Sequence, residues 1–214
     1  MPLDLSVSHQ AIATFKRRLL SLMEYTFAVL PAMKSENRFI EVLVDSTVVL
    51  LAAWHEQFLS SIIANAVIVK ESHVRAVLSA GAGGSQLTMI NTCNRIELVK
   101  LAKRRIDLRE KGSRLDRLFR SLWGFGVWPS DDVRYTVIDM NLLRQLIVHH
   151  GGGIVGDAYL SQFSDLTLLD VRRYGDLPPV AHIQYGASAA KLKPFISALI
   201  AQAQHIEDNL AKAS

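Results

Sequence analysis

The chain has 214 residues, half of them hydrophobic, with 24 Lys+Arg against 20 Asp+Glu and a formal net charge of +4. That composition supports one sizeable core, and the absence of a long Pro- or Gly-rich linker, a low-complexity run or a repeat period excludes a solenoid or tethered domains. The single cysteine, Cys93, excludes an internal disulfide and a cysteine-rich zinc site, and the N-terminal residues lack the basic flank and apolar run of a secretory signal; a cytoplasmic single domain spanning 1–214 is expected.

In chain order, the spacing of Ile12, Phe15, Leu19, Leu22 and Met23 predicts an amphipathic helix over 8–29, with Pro31 marking its end. Ser35 is an N-cap candidate for a long helix reaching about residue 69, carrying Phe39, Leu43, Leu50, Trp54, Phe58 and Ile62. Its apolar run over 42–54 is interrupted by Asp45, Ser46 and Thr47 and is shorter than the ~20 residues a bilayer needs. A buried helix and no membrane contact are expected. Residues 73–78 read as a short helix or turn. Residues 81–84 (Gly-Ala-Gly-Gly) read as a flexible loop, not a phosphate loop, since no lysine-serine follows. One helix is expected over 88–108. Another is expected over 113–123, with Leu115, Leu118, Phe119 and Leu122 inward. Asp139 is expected to cap the next helix. A final helix covers 188–213, with Pro194 in its first turns. Between the last two, residues 157–186 read as an irregular insertion, with short strands over 166–171 and 180–184 and a Pro178-Pro179 break. The expected class is all-α: an antiparallel helical bundle with an irregular or short-strand insertion before the last helix.

Charge is unevenly placed. Residues 95–120 hold ten basic and four acidic side chains, a surplus of six, which leaves the rest of the chain at −2. Such a stretch suits a polyanion through phosphate neutralisation and counterion release, with Lys103, Arg104 and Arg105 as candidate RNA contacts. A solvated helical surface is the alternative reading.

The stretch 141–153 carries the chemistry. Arg144 is followed after four residues by His149 in an apolar, helix-like run that stops at Gly151, Gly152 and Gly153. Arginine binds phosphate as a planar fork of donors, and histidine exchanges protons near neutral pH. With Arg144 at zero on a helical wheel, Val148 falls near ~40°, Asn141 near ~60°, Gln145 near ~100° and His149 near ~140°. Leucines, Ile147 and His150 fill the other side. Arg144 and His149 are thus candidate catalytic residues at the edges of a polar stripe, with Asn141 and Gln145 between them. Gln145, one turn before His149, is placed to hold its imidazole. The ~140° divergence makes it hard for one helix to aim both at one phosphate, which points to a homodimer with a shared cleft. An ordinary amphipathic helix with a basic C-terminus favoured by the macrodipole produces the same spacing.

Other polar residues carry less. Glu56 is a candidate for the same cleft, with a surface carboxylate as the alternative. Trp54, Trp123 and Trp128 read as packing. His182 and His205 have no partner at metal-ligand spacing, so neither a metal nor a cofactor is expected.

Arg144-Gln-Leu-Ile-Val-His149, late in an all-α chain, resembles the motif of the HEPN superfamily: arginine, a following polar residue, and histidine after four to six positions. Trp54-His-Glu-Gln-Phe58 is similar to a tryptophan–acid–aromatic element of HEPN proteins of the RiboL-PSP type. Leu118-Phe-Arg-Ser-Leu-Trp-Gly-Phe-Gly126 is similar to the helix and turn that precede their motif. The resemblance covers roughly residues 35–214. It implies a metal-independent endoribonuclease, often a toxin or defence effector, acting on RNA as a homodimer with the motif at the interface. Some relatives pair with a nucleotidyltransferase-type antitoxin, and some have lost activity and serve as RNA- or protein-binding modules. A purely structural helical domain is the third reading.

Overall fold

The computed structural model describes residues 4–29, 38–80, 82–104, 106, 112–150, 157–174 and 182–213. Among these the chain is all-α with one short hairpin before the last helix. The helices are α1 (Ser6–Val29), α2 (Arg38–Val69), α3 (Glu71–Ser79), α4 (Gly84–Thr92), α5 (Arg95–Lys103), α6 (Ser113–Trp123), α7 (Asp131–His150), α8 (Asp157–Leu160) and α9 (Leu192–Ala213). Strands β1 (Leu169–Tyr174) and β2 (His182–Ala187) pair antiparallel, with Leu169 opposite Ala187 and Tyr174 opposite His182. The hairpin thus falls in the expected insertion, its second strand running one residue past residue 186, and β1 begins three residues later than the strand expected over 166–171, after a 3-10 turn at Leu166–Leu168.

The chain forms two compact units, each discontinuous in sequence: residues 1–16, 55–130 and 201–214, and residues 17–54 and 131–200. In the first, Phe15 stacks on Phe58 at 4.5 Å between ring centroids, and Ile12, Leu59, Ile62, Ile63 and Leu98 are fully buried. In the second, Leu19, Val48, Leu51, Met140, Leu143, Leu146, Phe195 and Leu199 are buried. Burying a Leu, Ile or Phe side chain contributes about 1.5–3 kcal/mol, so these apolar stripes hold the helices far more strongly than propensity does. In α2, which is long and apolar enough to cross a membrane by length and composition, half of the apolar window is buried inside the protein.

Three expectations are corrected. The single helix expected over 88–108 is two, α4 and α5, broken at Cys93 and Asn94. Asn94 closes a capping box: its side chain accepts from the Glu97 N–H at 3.0 Å, and the Glu97 carboxylate accepts from the Asn94 N–H at 3.1 Å. Satisfying two orphan donors at a new N-terminus outweighs continuing one helix through that point. Asp139 caps nothing at the start of its helix, because α7 begins eight residues earlier at Asp131. Gly84 opens α4 instead of ending a loop. The expected strand at 180–184 lies partly, and the expected features at Pro31, Ser35, Gly151 to Gly153 and Pro178-Pro179 lie wholly, outside the described residues.

Candidate active site on α7

Helix α7 begins with Asp131 and Asp132, acids that the positive end of the helix dipole favours. Val137, Ile138, Asp139 and Met140 are all buried, so a full turn is enclosed on every side. From Asn141 onward one side opens. Gln145, Val148 and His149 are exposed, Asn141 and Arg144 are half-buried, and Leu143 and Leu146 are fully buried. The exposed arc is the polar stripe expected from the helical wheel, but only over the last turns of the helix.

The buried turn needs polar compensation, and it has it. The Asp139 carboxylate accepts hydrogen bonds from the N–H groups of Ser164 (2.9 Å) and Asp165 (3.1 Å) and from the Ser164 hydroxyl. Burial pushes its pKa up, and the bonds from Ser164 and Asp165 pull it back. The Tyr159 hydroxyl donates to the Leu142 backbone carbonyl at 2.9 Å, and its ring meets Phe163 edge-on at 6.1 Å. Burial raises the Tyr159 pKa, which keeps the phenol a donor. Together these contacts clamp α8 and the segment after it onto the turn that precedes Arg144. Composition and spacing did not reveal this clamp, since Asp139 and Ser164 are 25 residues apart; a lone carboxylate in an apolar helical run was the available signal.

The sequence-predicted site residues divide. Arg144, Gln145 and His149 share the open side of α7. No hydrogen bond between Gln145 and His149 is present among the described residues. The Asn141 amide nitrogen donates to the Val137 carbonyl at 2.8 Å, so it is engaged with its own helix. Glu56 is exposed on α2 and belongs to the other compact unit. Among the described residues no three His, Cys, Asp or Glu side chains converge on one point.

The basic stretch is narrower than its composition suggests. Arg95 pairs with Glu71 at 2.5 Å and Arg120 with Asp116 at 2.8 Å. Arg114 and Arg117 are also engaged. Lys100, Lys103 and Arg104 are exposed at the end of α5, where the negative end of the helix dipole favours cations. Arg105 lies outside the described residues.

The tryptophans and His205 are structural. Lys70 lies over the Trp123 ring at 4.7 Å, and Trp128 donates to the Gly112 carbonyl at 3.4 Å. Arg18 sits over Trp54 at 5.6 Å. His205 Nε2 donates to the Gly126 carbonyl at 2.9 Å and so ties the turn after α6 to α9. Comparison of the chain with protein-family models, with curated proteins and with solved structures found no match in any of the three.

Proposed function

We propose that the protein is a metal-independent endoribonuclease of HEPN type, working as a homodimer whose shared cleft is built on α7. One observation carries the reading: Arg144, Gln145 and His149 occupy the open side of a helix whose other side is buried leucine. In the reaction, the RNA 2′-oxygen bonds to the adjacent phosphorus and the bond from phosphorus to the 5′-oxygen breaks. His149 handles one of the two protons, taking that of the 2′-hydroxyl or supplying one to the departing 5′-oxygen, while water handles the other. Arg144 of the second protomer spreads its donors over the charge that grows on the phosphoryl oxygens. Gln145 contacts phosphate or steadies His149. The products are a 2′,3′-cyclic phosphate and a 5′-hydroxyl, and DNA is not cut. The HEPN resemblance extends the proposal to a toxin or defence effector held in check by a nucleotidyltransferase-type partner.

The test is cleavage of diverse RNAs in EDTA with analysis of product ends. His149→Ala is expected to lower the rate by about 10²–10⁴-fold and Arg144→Ala by about 10²–10³-fold, with cyclic-phosphate ends from the unsubstituted protein. Cleavage that persists in His149→Ala sinks the assignment.

A second reading, a catalytically inactive RNA-binding module, is favoured by the exposure of Lys100, Lys103 and Arg104 without ion-pair partners among the described residues. It predicts RNA binding that weakens linearly in log salt, with no cleavage by folded, dimeric protein.

A further inference from the structure

Residues of α4, of α5 and of the Cys93–Asn94 break between them line a groove with a cavity of about 380 Å³, within the range of ligand pockets, roughly 300–1,000 Å³. Its α4 side is Met89 and Thr92, and buried Cys93 lines it at the break. The break is fixed in place: Arg75 donates to the Cys93 carbonyl at 2.8 Å and to the Ile90 carbonyl, and is itself paired with Glu71. The α5 side is Glu97, Lys100, Leu101 and Arg104, which fall within an arc of about 100° on one helix face. The opposite face of α5, Leu98 and Ala102, is fully buried.

This face is poorly covered. Eight of the nine residues of α4 are exposed, Met89 at 45%, and only Ile90 is buried. Lys100 and Arg104 stand one turn apart, like charges side by side, and neither has an ion-pair partner among the described residues. The one acid in the groove, Glu97, is turned back into the capping box. The groove therefore offers adaptable apolar walls, Met89 and Leu101, under a cationic rim that has no ion-pair partner among the described residues. Its lining has no aromatic ring on which a base could stack.

We propose that this groove docks an acidic amphipathic segment of a partner protein, with its apolar side chains between Met89 and Leu101 and its carboxylates on Lys100 and Arg104. This is helix-in-groove recognition with charge complementarity at the rim. It does not depend on the ribonuclease reading. It assigns Arg104, a candidate RNA contact from the sequence, to a protein partner instead.

The test is selection from a random peptide library on the immobilised full chain, followed by affinity measurement on the enriched peptides. The expected result is enrichment of peptides with Asp or Glu interleaved with Leu, Ile, Met or Phe at three- and four-residue steps. Their binding should weaken with salt and fall at least about tenfold in the double variant Lys100→Glu, Arg104→Glu. His149→Ala should leave it unchanged. Both rim residues are exposed, and the milder pair Lys100→Gln, Arg104→Gln, checked by circular dichroism, separates lost charge from lost fold. Failure to enrich, enrichment of basic peptides, or affinity indifferent to the rim substitutions overturns the proposal. So does an RNA oligonucleotide that binds the unsubstituted chain, loses affinity in the rim variants and displaces the selected peptides more tightly than they bind.

Discussion

A histidine sealed in an apolar interior stays neutral, and His55 is such a residue. It is 1% exposed, its Nε2 donates to the Gln202 side-chain oxygen at 2.8 Å, and the ring of Phe15 lies nearby. Desolvation lowers its pKa to about 4 against the opposing effect of the Gln202 bond. Between pH 6.5 and about 4 the unfolded chain therefore binds a proton at His55 that the folded chain refuses. Its contribution to stability is whole above pH 6.5 and is lost as pH falls, by about 3 kcal/mol at pH 4. Denaturant unfolding across this range should show that slope in the unsubstituted chain and a flatter one in His55→Leu; equal slopes would place the titration elsewhere. The same residue scale explains why part of the candidate site was legible. Arg144, Gln145 and His149 announce themselves by residue type and spacing along one helix. The Asp139–Ser164 clamp and the Arg75 support beneath Cys93 do not, because each joins residues far apart in the chain.

At the scale of elements, ends matter more than interiors. Helix α6 was legible to the residue: its apolar steps place Leu115, Leu118, Phe119 and Leu122 inside, and all four are buried. Glycines in the left-handed region bound it, Gly112 at φ 71° and Gly124 at φ 86°. The two differ in their surroundings. A Cβ on Gly124 would meet open space, whereas one on Gly112 would lie 2.9 Å from Trp128 Cζ2. Gly124→Ala should cost about 1–2 kcal/mol of backbone strain alone. Gly112→Ala should cost clearly more, because the indole must also move and loosen its bond to the Gly112 carbonyl. Equal losses in denaturant unfolding would mean that the indole yields freely. The break between α4 and α5 is the main departure from the expected elements. Apolar periodicity runs through it, and only the Asn94-x-x-Glu97 pattern marks the stop. That pattern is local and was available; the groove beside it was not, since the groove depends on which side chains of two short helices come together.

At the scale of the whole molecule, the proposed site is incomplete in one chain. Arg144 and His149 leave α7 at directions about 140° apart, so the proposed cleft takes each from a different protomer. Mixing Arg144→Ala with His149→Ala protein should then restore RNA cleavage, because each mixed dimer keeps one intact site. Random exchange gives about a quarter of full activity. Two inactive parents that stay inactive after demonstrated subunit exchange would place both groups in one protomer's site or remove the site altogether. The sequence by itself determined the all-α class, the insertion before the last helix and the polar stripe on α7, since these follow from periodicity, helix-breaking residues and side-chain type along a single element. The tertiary structure alone decided that the stripe opens only after Asn141, that Arg95 of the basic stretch is tied to Glu71, and that an apolar groove with a cationic rim remains. Burial, and pairs such as Arg95–Glu71, are set by neighbours distant in sequence, and a linear pattern carries no record of which neighbours those are.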